Sequence, residues 1–178
     1  DVGDTISDES KSLLSELRRR VHRMEQLLSE LLEYARVGRD DTRQVQTNLQ
    51  SLVAESAQLI DLPVDGEVII DERMPTLLAD KGSLNRVILN LLSNAVKYRS
   101  EQPLRIECRC KTDDHFIVFS VSDNGMGIAP KFHDRIFAMF NRLHSQSQIE
   151  GSGMGLAMVK KLVEQAGGEI WVESKEDQ

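Results

Sequence analysis

The hydrophobic positions at the start of the chain fall on one helical stripe. Leu14, Val21, Leu28 and Ala35 recur at every seventh position, and Leu17, Met24 and Leu31 fill the interleaved register. This a/d heptad, widened by Leu13, Leu27 and Leu32, predicts a single long helix over 8–37. Ser7 reads as its N-cap and Gly38 as its C-terminal stop. A helix of that length spans roughly 45 Å and cannot bury its own stripe. The pattern therefore calls for a partner helix, upstream in the sequence or on a second subunit. The alternative is a helix packed flat on its own globular domain.

Beyond it, the periodicity changes. Residues 39–46 are polar and charged and read as a linker. Positions 49–60 suggest a helix, and 67–71 and 76–79 suggest short strands around Pro75. The stretch 84–98 is a strongly amphipathic helix, with Leu84, Val87, Ile88, Leu91, Leu92 and Ala95 on one side. Residues 104–112 and 116–121 alternate like paired strands, with Asp113-Asp114 at the turn. A helix is expected over 155–165, ended by Gly167-Gly168, and then a strand over 169–173. Strands and helices in mixed order predict an α+β fold. We expect an α/β sandwich whose mixed β-sheet is covered by helices on one face, preceded by a long coiled-coil-like helix.

Composition narrows the function classes. With 40% hydrophobic and 29% charged residues, the chain is globular rather than disordered. A formal net charge of -7 argues against a nucleic-acid partner, which needs a basic face for phosphates. It leaves room for one small basic pocket. The longest apolar runs are too short to cross a bilayer, so the expected location is cytoplasmic. Membrane attachment, as in the cytoplasmic part of a receptor, would come only through segments not in this chain. Cys108 and Cys110 share one face of an expected strand. With no second cluster they read as small buried apolar side chains rather than metal ligands.

Three stretches carry candidate chemistry. Asn90, Asn94 and Lys97 form a polar stripe at i, i+4 and i+7 on the 84–98 helix. Such a stripe is either a solvated face or a site for a metal-bound polyphosphate. An amide oxygen is a hard, neutral Mg²⁺ ligand, and lysine supplies a point charge for phosphate. Asp123-Asn124-Gly125-Met126-Gly127-Ile128 directly follows an expected strand. It is either an ordinary turn or a place where backbone approaches a ligand and a carboxylate accepts a bond from an exocyclic amine. Gly151-Ser152-Gly153-Met154-Gly155-Leu156 opens a helix, where unobstructed N–H groups bind anions. Its spacing fits neither the dinucleotide fingerprint nor the P-loop. The intervening 129–150 segment holds Phe137, Phe140, Arg142 and His144, and its length suits a lid.

Together these elements resemble the sensor histidine kinases, within the wider superfamily of DNA gyrase, the mismatch-repair ATPase and the heat-shock chaperone ATPase. Asn90-Leu91-Leu92-Ser93-Asn94-Ala95-Val96-Lys97-Tyr98 resembles the N box, and Asp123 to Gly127 the first glycine box. Phe137-Ala138-Met139-Phe140 resembles the F box, Gly151 to Leu156 the second glycine box, and Gly168 to Ser174 the strand after it. The helix ending Leu31-Leu32-Glu33-Tyr34-Ala35-Arg36-Val37 is similar to the second helix of the dimerisation and histidine-phosphotransfer hairpin. The resemblance implies a partial hairpin helix over 1–38, a linker over 39–46 and a catalytic ATP-binding domain over 47–178, whose last strand is expected to be missing. It also implies a homodimer through the N-terminal helix.

The resemblance further implies ATP and Mg²⁺ as cofactors. Asn94 would bind Mg²⁺ with Asn90 beside it near the phosphates. Lys97 would contact phosphate, Tyr98 would lie along the adenine, and Asp123 would accept a bond from its amine. Gly125, Gly127 and Ile128 would shape that pocket. Phe140 and Arg142 would belong to the lid, with Arg142 reaching the γ-phosphate. Gly151, Gly153, Gly155 and Leu156 would let the lid close. The implied reaction moves the γ-phosphoryl group to a histidine outside this chain, and from there to an aspartate of a response regulator receiver domain. The acceptor motif, a histidine followed by an acidic residue on the first hairpin helix, is matched by none of His22, His115, His133 and His144. Rival readings are a superfamily ATPase, an anti-sigma Ser/Thr kinase, or a nucleotide-responsive module without catalysis.

Overall fold

A computed structural model describes residues 7–37, 43–112, 116–141 and 151–175. The chain divides into two units, Asp1–Val37 and Gly38–Gln178.

The first unit is helix α1, Asp8–Arg36. Ser7 caps it, its Oγ accepting from the Ser10 N–H at 3.2 Å. Asp8 and Glu9 in the first turn and Arg36 in the last complement the helix dipole. The end falls at Val37, whose N–H bonds the Glu33 carbonyl. The expected stop, Gly38, lies outside the described residues. The helix itself buries none of its side chains, and Leu14, Leu17, Val21, Met24, Leu28 and Leu31 are all exposed.

In the second unit, β1 (Gln44–Asn48) pairs antiparallel with β3 (Thr76–Asp80), from Gln44 opposite Asp80 to Asn48 opposite Thr76. Residues 44–46 are therefore strand, not linker as expected. The polar side chains of Gln44 and Gln46 hide this, because the pairing leaves both in water. Asn48 then caps α2 (Leu49–Ala57), its Oδ1 accepting from the Ser51 N–H. A second sheet holds β2 (Glu67–Ile70), β4 (Arg105–Thr112) and β5 (Ile117–Asp123) in the order β2-β4-β5. The β2–β4 pairing is parallel and the β4–β5 pairing antiparallel, which makes this sheet mixed. Among the described residues the strands thus fall into two sheets rather than one, within the expected α+β class.

Alternation on β4 explains which face is covered. Ile106 and Cys108 are fully buried and Cys110 is half-buried, while Arg105, Arg109 and Lys111 point outward. On the outer face Glu107 bridges Arg105 and Arg109, which hold its carboxyl below the usual carboxylate range. On the inner face Leu49, Leu52 and Val53 of α2 meet Ile88, Leu92 and Ala95 of α3 (Lys81–Lys97). Each fully buried Leu here contributes on the order of 2 kcal/mol. Helix α3 begins three residues before its apolar stripe because Asp80 caps it, Oδ1 accepting from the Ser83 N–H at 2.6 Å. Buried Ser56 of α2 donates to Asn85 Oδ1 of α3 at 2.9 Å.

Helix α4 spans Gly155–Gln165 and buries Ala157, Met158, Val159 and Leu162. It ends as expected at the paired glycines. Gly167 has φ 78, its N–H bonds the Glu164 carbonyl, and the Gly168 N–H reaches back to the Val163 carbonyl at 2.9 Å. Among the described residues, the expected strand at 169–173 is not formed. Its burial does alternate, with Ile170, Val172 and Ser174 half-buried and Glu169, Trp171 and Glu173 exposed. It lies in no ladder among the described residues, however, and side-chain alternation alone does not make a strand.

Candidate functional site

The C-terminal half of α3 is the scaffold of the site. Its apolar face is fixed by the core, which aims the opposite stripe of Asn90, Asn94 and Lys97 away from the sheet. All three are half-buried, as is Tyr98 at the C-cap. Asn90 Nδ2 donates to the Arg86 carbonyl at 2.9 Å, which orients its oxygen away from its own helix. Lys97 Nζ stands 5.3 Å from the centroid of the Tyr98 ring.

Two glycine-bearing segments close onto this helix. Strand β5 ends at Asp123, opposite Ile106 of β4. The chain then turns under the end of α3. The Met126 N–H donates to the Tyr98 carbonyl at 3.0 Å, and the Gly125 N–H donates to Asp123 Oδ1 at 2.9 Å. Any Cβ at Gly125 would stand 2.5 Å from the Tyr98 carbonyl oxygen, so only glycine fits there. Gly127 adopts φ 70, and the half-buried Ile128 is tethered by its N–H to Ser174 Oγ at 2.9 Å.

From the other side comes the loop before α4. A Cβ at Gly151 would collide with Lys97 Nζ, and one at Gly155 would come within 2.6 Å of Asn90 Oδ1. The loop at Gly151 and the start of α4 at Gly155 therefore face the Asn90–Lys97 stripe with bare backbone. The Phe140 N–H bonds the Gly153 carbonyl at 3.1 Å, and Phe140 holds φ 60, a left-handed conformation costly for an aromatic residue. The Phe140 ring is exposed, so it joins the site through its backbone rather than by filling a pocket. Arg142 lies outside the described residues, as do Asp113-Asp114, His115 and His144.

The structure thus gathers the stripe, the Asp123–Ile128 turn and the Gly151–Leu156 loop around one helix end. Three contributors were not singled out from the sequence. Asn124 fastens the turn: its Oδ1 accepts from the Arg105 N–H and its Nδ2 donates to the Pro103 carbonyl, both at 2.8 Å. Ser174 holds Ile128, and the His133 ring nitrogen Nε2 bonds the Ile128 carbonyl at 3.1 Å. Asn124 and Ser174 act through backbone partners far away in sequence, which no local pattern announces, while His133 reaches only five residues back. His133 is followed by Asp134, but the pair lies among short 3-10 turns, Pro130–Phe132 and Arg135–Phe137, and not on a hairpin helix. Among the described residues no cluster of three or more His, Cys, Asp or Glu could hold a metal. Burial pushes the Cys108 thiol up to about 11, in keeping with an inert core cysteine.

Comparison with known proteins fits this geometry. The family model for "Histidine kinase-, DNA gyrase B-, and HSP90-like ATPase" matches residues 79–178, which hold all of these site residues. The chain belongs to that family. Within this ATPase family it is similar to the phytochrome-like protein Cph1 of Synechocystis sp., at 32% identity over 173 residues, 96% of this chain and 23% of that protein. It is also similar to the methanogenesis regulatory histidine kinase FilI of Methanothrix harundinacea, at 32% identity over 180 residues, 99% of this chain and 20% of that protein. The chain therefore spans about a quarter or less of these relatives. The crystal structure of full-length ShkA in complex with AMPPNP superposes with a TM-score of 0.69 at 25% identity, over 97% of this chain and 38% of that one. No helix among the described residues is long and apolar enough to cross a membrane.

Proposed function

We propose that this chain is the ATP-binding catalytic portion of a two-component sensor histidine kinase. The observation that carries the reading is the closure of two glycine segments onto the C-terminal part of α3: the 151–155 loop meets Asn90 and Lys97, and the 123–127 turn meets the Tyr98 carbonyl. Positions where a Cβ would meet Lys97 Nζ or Asn90 Oδ1 form a cradle suited to a polyphosphate. The α4 N-terminus adds N–H groups and a favourable dipole for the same charge. In this reading Lys97 neutralises phosphate, Tyr98 lies along the base, and the Asp123 carboxylate accepts from the adenine amine. Gly125, Gly127 and Ile128 shape the base end of the pocket. Gly151, Gly153, Gly155 and Leu156 close the phosphate end, together with Phe140 and Arg142. Asn94 is the one side chain assigned to Mg²⁺, with Asn90 next to it. A Mg²⁺ ion held by one amide oxygen takes its other ligands from phosphate oxygens and water, and it would neutralise charge on the transferring group.

The reaction is transfer of the ATP γ-phosphoryl group to a histidine, and then to an aspartate of a response regulator receiver domain. ADP is the leaving group of the first transfer. The name of FilI, a regulatory histidine kinase, supports this, as does the AMPPNP bound by ShkA. The boundary at Val37 supports a hairpin helix followed by a catalytic domain, and the exposed heptad of α1 supports a homodimer through that helix.

Titration calorimetry with ATP and Mg²⁺ tests the site. Wild type should bind, and Asp123→Asn should bind at least tenfold more weakly, because the amide can turn a donor toward the adenine amine. Equal affinities would remove the adenine assignment. Phosphotransfer to a separately supplied acceptor hairpin tests the class: label should appear on the hairpin and not on this chain. Stable label on His22 or His133 would overturn the division of labour.

A further inference from the structure

The turn that carries Asp123 is held by one side chain with no place in the nucleotide site. Asn124 spans the strip between α3 and β4 with three bonds. Its Oδ1 accepts from the Arg105 N–H at 2.8 Å, its Nδ2 donates to the Pro103 carbonyl at 2.8 Å, and its own carbonyl accepts from Ser100 Oγ at 3.1 Å. On one side of Asn124, Asp123 is already pinned to Ile106 in the β4–β5 ladder. On the other side, Gly125 is wedged beneath the Tyr98 carbonyl and offers its N–H to Asp123 Oδ1. The orientation of the Asp123 carboxylate thus depends on where Gly125 stands. Where Gly125 stands depends on the clamp of Asn124 onto 100–105.

From this lacing we infer that Asn124 is a positioning residue that sets the preference of the site for a 6-aminopurine. It touches neither base nor phosphate. It acts by holding the Asp123 carboxylate at the angle from which it accepts a hydrogen bond. This inference rests on the proposed role of Asp123. An amide suits the task because the two backbone groups it must meet differ in kind, one N–H and one carbonyl. Only an amide side chain of this length presents an acceptor and a donor side by side. An aspartate would keep the Arg105 bond and face the Pro103 carbonyl with a second oxygen. Serine 100 braces the same residue from the helix side, so its loss should act in the same direction with a smaller effect.

The test is a ratio, measured by calorimetry on the whole chain with Mg²⁺. Affinity for ATP is divided by affinity for purine riboside triphosphate, which lacks the 6-amino group and keeps everything else. A general loss of stability or added negative charge lowers both affinities and leaves the ratio alone. Wild type should favour ATP by about tenfold, the value of one good hydrogen bond to a charged group. In Asn124→Ala the ratio should fall to about 1, and in Asn124→Asp to an intermediate value, the retained Arg105 bond giving partial rescue. Ser100→Ala should lower the ratio by about twofold and covers the case in which the Asn124 variants do not fold. A ratio that stays at the wild-type value in these variants overturns the positioning role while leaving Asp123 as the adenine acceptor. A wild-type ratio of 1 overturns the Asp123 assignment itself and the positioning role with it. The two failures are therefore distinguishable.

Discussion

Replacing Gly125 with alanine tests whether the base end of the site is as tightly built as its geometry implies. The added methyl would stand 2.5 Å from the Tyr98 carbonyl oxygen and 2.6 Å from Asp123 Oδ1. Carbon and oxygen normally meet at roughly 3.4 Å, so the turn has to move by about 0.8–0.9 Å. The Tyr98 carbonyl cannot yield easily, because Tyr98 caps α3 with its N–H bonded to the Asn94 carbonyl. The move breaks or stretches the bond from Met126 N–H to the Tyr98 carbonyl, worth about 1 kcal/mol. It also breaks the bond from Gly125 N–H to the Asp123 carboxylate, worth about 1.5–3 kcal/mol. Gly125 is not in the left-handed region, so backbone strain from alanine adds nothing and the effect is purely steric. The expected loss in unfolding free energy is about 2–4 kcal/mol by urea denaturation, with ATP affinity lowered at least tenfold in the folded fraction. An unfolding free energy within 0.5 kcal/mol of wild type, together with unchanged ATP binding, would refute the tight fit.

Gly155→Ala should separate stability from binding. Its Cβ meets only the end of the Asn90 side chain, and alanine favours the first turn of α4 by about 0.5–1 kcal/mol. Thermal unfolding should therefore stay near wild type, while calorimetry shows ATP affinity about tenfold or more below it. If both fall together, Gly155 is a packing residue. Alkaline pH should act through Cys108: burial raises its thiol from 9.0 to about 11 in the folded chain. A raised folded value gives stability that is complete below about pH 9 and is lost as pH climbs toward 11. Urea midpoints from pH 8 to 11 should show that slope, and Cys108→Ala should flatten it; an equal slope in both would place the alkaline sensitivity elsewhere.

How far the sequence revealed this arrangement varied with the kind of force at work. Helix α4 was readable to the residue because Gly155 opens it and Gly167-Gly168 closes it with local bonds. The body of α3 was readable from its apolar stripe. Its start was not, because the Asp80–Ser83 cap lies outside that stripe. Strand β1 was missed for a related reason: Gln44, Gln46 and Asn48 carry no hydrophobic alternation, and only the distant β3 makes them a strand. The reverse error came at 169–173, where the alternation was present and the ladder was not. For the site, the residue types and their order were visible, including Asn94, Lys97, Asp123 and the glycines. The bonds that bring them together were not, since they run from Met126 to the Tyr98 carbonyl and from Asn124 to Arg105 and Pro103. Those partners are backbone groups far apart in sequence, and backbone groups leave no compositional trace.

The short connection between Tyr98 and Arg105 takes on another meaning in this light. Surface connections usually accept inserted residues, and they are the usual places where proteins drift in length. This one is tied at Tyr98, Ser100, Pro103 and Arg105 to the turn that follows β5. It behaves as a spacer of fixed length between the end of α3 and the Asp123 turn. A single residue added there would change the distance between the stripe and the Asp123 turn without altering any residue of either. The connection is therefore less open to lengthening than a surface segment usually is.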